Sequence, residues 1–549
     1  MHHTRVTPAW LGKDRRIASV QLRSGRPWTQ RAQNPHETAA SIDAGCPDPE
    51  YPNVAARLSK SKFCAGLQCH RRLWWEANEP DAPELVPSDE LRATFDRGSR
   101  VGEVARTHVP GGTLIDVPYT EPNRRVEETR KVLARGAKVI YEAAFFEDGV
   151  FVAVDILSKR RSGWTITEVK STTKVKPEHI PDAAVQTHVA RTAGLQVDRV
   201  ELMHLDRECR FPDLSNLFAR TDITADVEAI LPTIPLETRR QLKVLGGPLP
   251  EIEPSDHCHR PYGCAFVGRC WDEPEEHAIS TLYRIGNGAD ALIDQGYETI
   301  HDLPSDLALG KIAGRQRRAV QQGSVIVEFG LASALEALPW PIAYLDFETV
   351  MLAIPVWNDC RPYDQVAVQL SCHIETKGGR VRHSEWLANG PDDPRETFAR
   401  ALIQSVQGAA TILTYNVSFE RGRIEEVKTA VPSLARELDD VIGRLVDLLP
   451  IVRQNVYHPD FGGSFSLKSV LPALVPSMNY LRLEIGNGAR ASVELWRLMF
   501  DKTIAARERA KLRKTLFEYC RTDTLAMVEI VRALRRLAGA TAIQLPRSK

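Results

Sequence analysis

Apolar residues along this chain follow two rhythms, one that alternates like a strand and one that recurs like a helix face. Residues 139–146, 150–157 and 164–170 are short runs rich in valine, isoleucine and aromatic side chains, which predicts three strands. Glu147-Asp148-Gly149 between the first two reads as a hairpin turn, with a glycine where positive φ is easy. Helical patterns flank these strands at 90–107 and 180–193, and Ser59 or Ser61 is placed to cap a shorter helix before them. Further on, 279–295 and a helical pair containing 314–319 read as helices. Strands return at 344–350, 362–373 and near 381–386. A helix at 394–406, a strand at 410–415 and several helices follow, the last starting near Lys511. Residues 1–55, rich in Arg, Pro, Gln, Asn and His, show no sustained apolar period and read as a poorly ordered tail.

The pattern predicts a multidomain α/β protein, and 549 residues are too many for one core. The expected division is a tail at 1–55, an α/β domain at 56–274, a helical spacer at 275–337 and a second α/β domain at 338–549. No apolar run reaches the roughly 18 residues that span a bilayer, so no membrane partner is expected. The start lacks the apolar core of a signal peptide, which makes a cytoplasmic location the expectation. Lys plus Arg equal Asp plus Glu at 71 each, so net charge gives no global argument for a nucleic-acid partner; local basic patches would have to. Ten cysteines in a long chain of this kind argue for metal ligands over a disulfide framework.

The chemistry concentrates in three places. In 344–350, Asp346 and Glu348 stand two apart on a strand and so share a face. Paired carboxylates on a sheet repel each other, and such a pair usually persists where a cation sits between them. Downstream come Asn416-x-x-x-Glu420 at a strand-to-helix junction and Tyr519-x-x-x-Asp523, whose spacing puts both on one helix face. In this order the motifs resemble those of the DEDD 3′–5′ exonucleases in their tyrosine form, on a ribonuclease-H-like fold, with Glu420 where that family normally carries aspartate. The resemblance implies that Asp346, Glu348, Glu420 and Asp523 hold two Mg²⁺ or Mn²⁺ ions and that Tyr519 orients the attacking water. Asp447 is a candidate supporting acid, and Lys468 a candidate phosphate contact.

The second place is Asp155, followed on the next strand by Glu168-Val169-Lys170 and then by a helix bearing Gln186. Glu168 and Lys170 share one strand face. This set resembles the RecB-type branch of the PD-(D/E)XK nucleases, which implies that Asp155 and Glu168 hold a divalent cation and that Lys170 positions the water. The branch's Gln-x-x-x-Tyr reads here as Gln186-Thr187-His188-Val189-Ala190.

The third place is the run Cys258, Cys264 and Cys270 in a loop rich in Pro and Gly, with Cys69 as the fourth ligand and Cys64 as its rival. One cysteine before a nuclease core and three after it resembles the iron–sulfur RecB-type nucleases, and implies a [4Fe–4S] cluster clamping the ends of that domain. Zinc is the alternative for four thiolates. Cys209, Cys360, Cys372 and Cys520 read as core residues, and Cys46 as incidental.

From about Leu58 the chain resembles a bacterial family that joins these two nuclease domains. The implied activity is a metal-dependent nuclease, a 3′–5′ exonuclease on single-stranded DNA ends, in repair or defence. RNA 3′-end trimming is the second reading, and a degraded protein that only binds nucleic-acid ends is the third. The spacer resembles a helix-hairpin-helix, with a basic patch at Arg315, Arg317 and Arg318 available for phosphate or simply solvated.

Overall fold

Two β-sheets, each with its own apolar core, organise the computed structural model, which describes residues 58–286, 288–479 and 483–544. The expected tail at 1–55, with Cys46, lies outside the described residues. The first sheet has seven strands: β1 (Leu58–Ser59), β2 (Thr113–Leu114), β3 (Val139–Glu147), β4 (Val150–Lys159), β5 (Trp164–Lys170), β6 (Val197–Leu205) and β7 (Phe218–Asp222). They run in the order β2-β3-β4-β5-β6-β7, with β1 paired to β4. The β3–β4 turn is Asp148-Gly149, both at positive φ (51° and 77°), as a two-residue hairpin of this hand requires. Helix His179–Thr192 lies on this sheet and is buried along most of its length, so it shows little polar face.

After β8 (Ile326–Val327), the second sheet is built from β9 (Ile342–Met351), β10 (Gln365–Glu375), β11 (Val381–Leu387), β12 (Thr411–Thr414) and β13 (Leu445–Asp447). Its order is β11-β10-β9-β12-β13. β10 is antiparallel to β9 and β11, while β12 is parallel to β9 and β13. A last short strand, β14 (Val456–Tyr457), pairs with β8. The 39-residue helix Ala506–Gln544 packs across β9 and β10 and closes the core on one side.

The chain is thus mixed α/β and multidomain. Among the described residues no helix is long and apolar enough to cross a membrane. Most predicted elements are present within a few residues, and Ser59 is the cap of helix Lys60–Gln68, accepting from the Lys62 amide at 3.2 Å.

Two expectations for the middle of the chain need correction. Residues 279–295 are not one helix: they form the single turn Ile279–Thr281 and the short helix Gly288–Ile293, interrupted where Arg284 and Gly286 take positive φ. Within the spacer, Ile279, Leu282, Leu292, Ile300 and Val320 form a small cluster of their own, while Ala319, Leu331 and Leu335 join Ile342, Tyr344 and Val528 in the second core. Its basic patch is largely internal. Buried Arg315 binds Glu328 and the carbonyls of Arg453 and Gln454, and buried Arg317 caps the carbonyls of Pro304, Ser305 and Leu307. Two buried guanidiniums whose Nη atoms already bond protein oxygens are not phosphate ligands.

Candidate metal centre

β9 places Asp346 and Glu348 on one face, and the long helix Ala506–Gln544 lays Asp523 against them. One ligand oxygen from each of the three lies within 4.8 Å of the others. Their neighbourhood makes this costly. Burial, and then the charges of Asp523, Glu348 and Glu420, hold the Asp346 carboxyl well above its ordinary range. Burial and Asp523 push Glu348 up to about 8, against a smaller opposing pull from Lys468. Burial likewise raises Glu420 to about 8, and its Oε2 is buried without a hydrogen-bond partner. Three mutually repelling carboxylates, one buried and two half-buried, within 4.8 Å of one another are the donor set a hard divalent cation takes. The residues present therefore fit the expected Mg²⁺ or Mn²⁺.

The local backbone explains how the acids are aimed. Asp346 pairs with Ser371 and Glu348 with Gln369, and the β9–β10 register slips between Ala367 and Gln369, a bulge directly beside Glu348. Gln369 donates to the Leu516 carbonyl at 2.8 Å. Thr524 Oγ1 meets Ser371 Oγ and His373 Nδ1, each at 2.8 Å. These three bonds set the rotation of the long helix, so that Tyr519, Cys520 and Asp523 face β9. The Cys520 thiol lies 3.6 Å from Asp346 Oδ2, so this cysteine adjoins the site as well as the core.

Tyr519 sits one turn before Asp523, as the spacing predicts. Its phenol is held protonated by burial first, then by Asp523, Glu348 and Asp346. The helix Gly488–Phe500 starts here: a Cβ on Gly488 would lie 3.9 Å from Glu348 Oε2 and 4.0 Å from Tyr519 Oη. Lys468 Nζ stands 5.9 Å over the Tyr519 ring and donates to the Gly486 carbonyl. Neither the Gly488 helix start nor the Thr524 pin was singled out from sequence. A glycine after an N-capping asparagine, and a hydroxyl next to Asp523, are the signals that pointed to them.

Glu420 does not join the three-acid group, although its charge reaches Asp346. It lies on helix Ser418–Ala430, entered through Asn416 at φ 79°. Asp447 is structural: its Oδ1 accepts the Asn416 amide at 2.9 Å and the Leu449 amide at 3.0 Å, capping helix Leu448–Asn455.

The other predicted acid site is also assembled, but differently. Glu168 and Lys170 on β5 and Gln186 on helix His179–Thr192 meet, with Asp155 on β4 beside them. Sequence reasoning missed two members, Lys60 and Asp182. Glu168 Oε1 takes both Lys60 and Lys170 at 2.8 Å, and Oε2 takes Gln186 at 2.7 Å. Lys170 also binds Asp182, and Lys60 lies 3.4 Å from it. Asp182 stands one helical turn before Gln186, a spacing that could have revealed it. Burial alone would raise Glu168, but Lys170 and Lys60 outweigh it and hold that carboxylate well below its ordinary value. Asp155 is pushed up to about 8 by burial and by Glu168, and its Oδ2 accepts the Val169 amide at 2.6 Å. Glu142, at φ 60° between two pairs of the β3–β4 ladder, adds to the charge around Asp155. Two ammonium groups stand where the expected cation would, and among the described residues no third ligand closes with Asp155 and Glu168 into a metal-sized group. As arranged, this set does not fit a divalent ion.

The four cysteines Cys69, Cys258, Cys264 and Cys270 gather where helix His70–Asn78 meets the loop after residue 247, around Trp75 and Phe266. Cys264 and Cys270 each lie within electrostatic reach of Cys69 and Cys258. Arg71 Nη1 is 3.9 Å from Cys270 Sγ. Among the described residues no three of these sulfurs lie within 4.8 Å of one another. A zinc tetrahedron with bonds of about 2.3 Å would need them closer than that, whereas an iron–sulfur cluster spreads its thiolates more widely. The residues fit the larger group better. Cys64 is elsewhere: it packs on the first core with its thiol pushed up to about 12 by burial, next to Asp182 and Lys60.

A family described as "Domain of unknown function (DUF2779)" matches residues 343–466. That span holds Asp346, Glu348 and Glu420 and ends before Tyr519 and Asp523. "Uncharacterized protein UU173" of Ureaplasma parvum is 26% identical over 216 residues, 35% of this chain and 31% of its own. "Uncharacterized protein MG366 homolog" of Mycoplasma pneumoniae is 25% identical over 206 residues, 34% of this chain and 31% of its own. The chain spans about a third of the length of these curated relatives. No solved structure matches it.

Proposed function

We propose that this protein is a metal-dependent phosphodiesterase that trims the 3′ ends of nucleic acids, with single-stranded DNA the favoured substrate, at the site formed by Asp346, Glu348, Asp523 and Tyr519. The observation that carries the reading is the convergence of three carboxylates, Asp523 buried and Asp346 and Glu348 half-buried, from a central strand and a late helix to within 4.8 Å, with a protonated tyrosine one turn away. Three antiparallel strands followed by two parallel ones, with acids on the first strand and the last helix, agree with a ribonuclease-H-like plan.

Bound divalent cations would supply Lewis-acid stabilisation of the attacking and leaving oxygens. The chain's own groups do the rest. Asp346, Glu348 and Asp523 provide the negative well that holds those ions. Tyr519, kept neutral by its acidic surroundings, donates a hydrogen bond and so orients a water or a phosphate oxygen. Lys468 and the start of helix Gly488–Phe500 put positive potential on the same side, where an incoming phosphate gains from it.

In the first half, Asp155, Glu168, Lys170 and Gln186 support a PD-(D/E)XK-like reading of the scaffold. With both Glu168 oxygens occupied, we assign no step there. We assign the four cysteines to a [4Fe–4S] cluster that ties helix His70–Asn78 to the 258–270 loop.

The test is a 3′-labelled and a 5′-labelled strand, DNA and RNA in parallel, with Mg²⁺ or Mn²⁺. The parent should shorten strands from the 3′ end, and Asp346→Ala should lower the rate by at least about a thousandfold, as loss of an essential charge-stabilising group does. A parent that binds strands tightly and shortens none would instead establish the end-binding reading, which the separation of Glu420 from the other acids favours.

A further inference from the structure

An open groove of about 300 Å³ lies between the two halves. Its wall from the first half is helix Asp89–Thr107, through Thr94 and Arg97, and the loop that continues β5, through Thr172, Lys174 and Lys176. Its wall from the second half is Tyr363, in the loop between β9 and β10. Three cations and several hydroxyls line it, and no carboxylate does. Lys176 has one carboxylate nearby, Glu178 at 3.7 Å.

Tyr363 is held for a purpose. It is a non-glycine residue at φ 65°, its phenol donates to the Ser171 carbonyl, and the Arg97 guanidinium lies 5.9 Å from its ring centre. Left-handed backbone at a bulky residue is costly and tends to persist at binding sites. The inter-half seam that carries it is well bonded, with Phe211 and Cys360 joined at 3.0 Å and Asp359 and Phe211 at 2.9 Å.

The groove also points somewhere. It begins at Ser171, the residue after Lys170. Helix Asp89–Thr107 continues past it to Asp89, which meets Arg490 at 3.4 Å. Arg490 is in the first turn of the helix whose start abuts Glu348 and Tyr519. Asp89 and Arg97 are ~12 Å apart along that helix, two or so nucleotides of an extended strand.

We propose that this groove is the track of a single nucleic-acid strand, its phosphodiesters held by Arg97, Lys174 and Lys176 and a base stacked against Tyr363. The direction of the strand rests on the phosphodiesterase reading of the Asp346 site; the binding itself does not. A polar cationic groove with one rigid aromatic is the general form of a sequence-tolerant single-strand site.

The experiment uses the full chain in EDTA with a labelled oligothymidylate and the matching oligouridylate, following anisotropy against salt. Arg97→Glu, Lys174→Glu and Lys176→Glu combined should weaken binding at least about tenfold at low salt and flatten the salt slope by about 2, at roughly 0.7 per phosphate contact. Lys377→Glu, on the β10–β11 turn, should change neither. Tyr363→Leu should weaken binding with the slope kept, and Tyr363→Phe should restore it. Loss in either strand arm supports the groove, and the arm with the larger loss names the strand it prefers. Parent affinity and slope in the triple variant, with an unchanged melting temperature, overturn the proposal. Should the triple variant not fold, Lys174→Gln alone decides: a slope flattened by about 0.7 supports it and an unchanged slope overturns it. Binding lost in the variant while the parent cleaves nothing sinks the phosphodiesterase reading and leaves the groove standing. Cleavage and binding both indifferent to the substitutions sink the groove alone.

Discussion

Asp346 and Glu348 are expensive residues in the absence of a cation, and that expense has a measurable sign. In the unfolded chain Glu348 loses its proton near its ordinary 4.5; folded, it keeps it to about 8. Between those values the folded state holds more protons, so stability falls as pH rises through that window. Glu420 has the same window and adds to the slope. Metal-free protein should therefore melt at a lower temperature at pH 8 than at pH 6, and added Mn²⁺ should recover more stability at pH 8, where it need not displace protons. Thermal scans in EDTA and in Mn²⁺ at both pH values check this; a melting point in EDTA that rises between them would contradict it. Asp346→Asn should raise the metal-free melting temperature while removing activity, by roughly 2–4 °C for each kcal/mol of relieved repulsion. Glu168 predicts the opposite sign. Its charge is neutralised by Lys60 and Lys170, so Glu168→Ala leaves two half-buried ammonium groups with Asp182 alone between them and should lower the melting temperature.

At the scale of elements, the site depends on how the long helix is rotated on its sheet. Thr524 sets that rotation through Ser371 and His373. Thr524→Val keeps the volume and leaves His373 Nδ1 without its partner while Ser371 keeps His383, at about 1–3 kcal/mol. It should lower kcat as well as stability, because Asp523 and Tyr519 sit on the same two turns; a variant with normal kcat would show that the helix is held elsewhere. The cysteine elements make a separate prediction. Anaerobically purified protein should be brown, Cys270→Ser should lose the visible absorbance, and Cys64→Ser should keep it, since Cys64 packs in the first core. Colourless protein carrying zinc would overturn the cluster. Elements with strong local signals, such as the Asp148-Gly149 hairpin and the Ser59-capped helix, were readable residue by residue. The break inside 279–295 was not, because the apolar spacing there is helical while Arg284 and Gly286 leave helical backbone.

For the whole molecule, the two acid sites have opposite characters despite similar sequence signals. Each was legible as acids on a strand. Which one is open to a cation was not, because that depends on where lysines from distant segments land. Lys60 reaches Glu168 across 108 positions of sequence. The same holds for Arg315 and Arg317, which read as a solvated basic face and turn out to be internal props. Conversely, the groove at Arg97, Lys174 and Tyr363 has no motif, because its walls come from segments far apart in the chain.

Taken alone, the sequence determined what is local or periodic: the strands and helices, the pairing of Asp346 with Glu348 on one face, the turn that carries Tyr519 with Asp523, and the likeness of the cysteine spacing to a metal clamp. Backbone periodicity and short-range sterics suffice for those. Only the tertiary structure decided that Asp523 closes on Asp346 while Glu420 stays apart, that Glu168 is already neutralised, and that part of the spacer packs into the second core. Those outcomes turn on charge and packing between residues brought together by folding, where a displacement of a few ångströms separates an open cation site from a salt bridge.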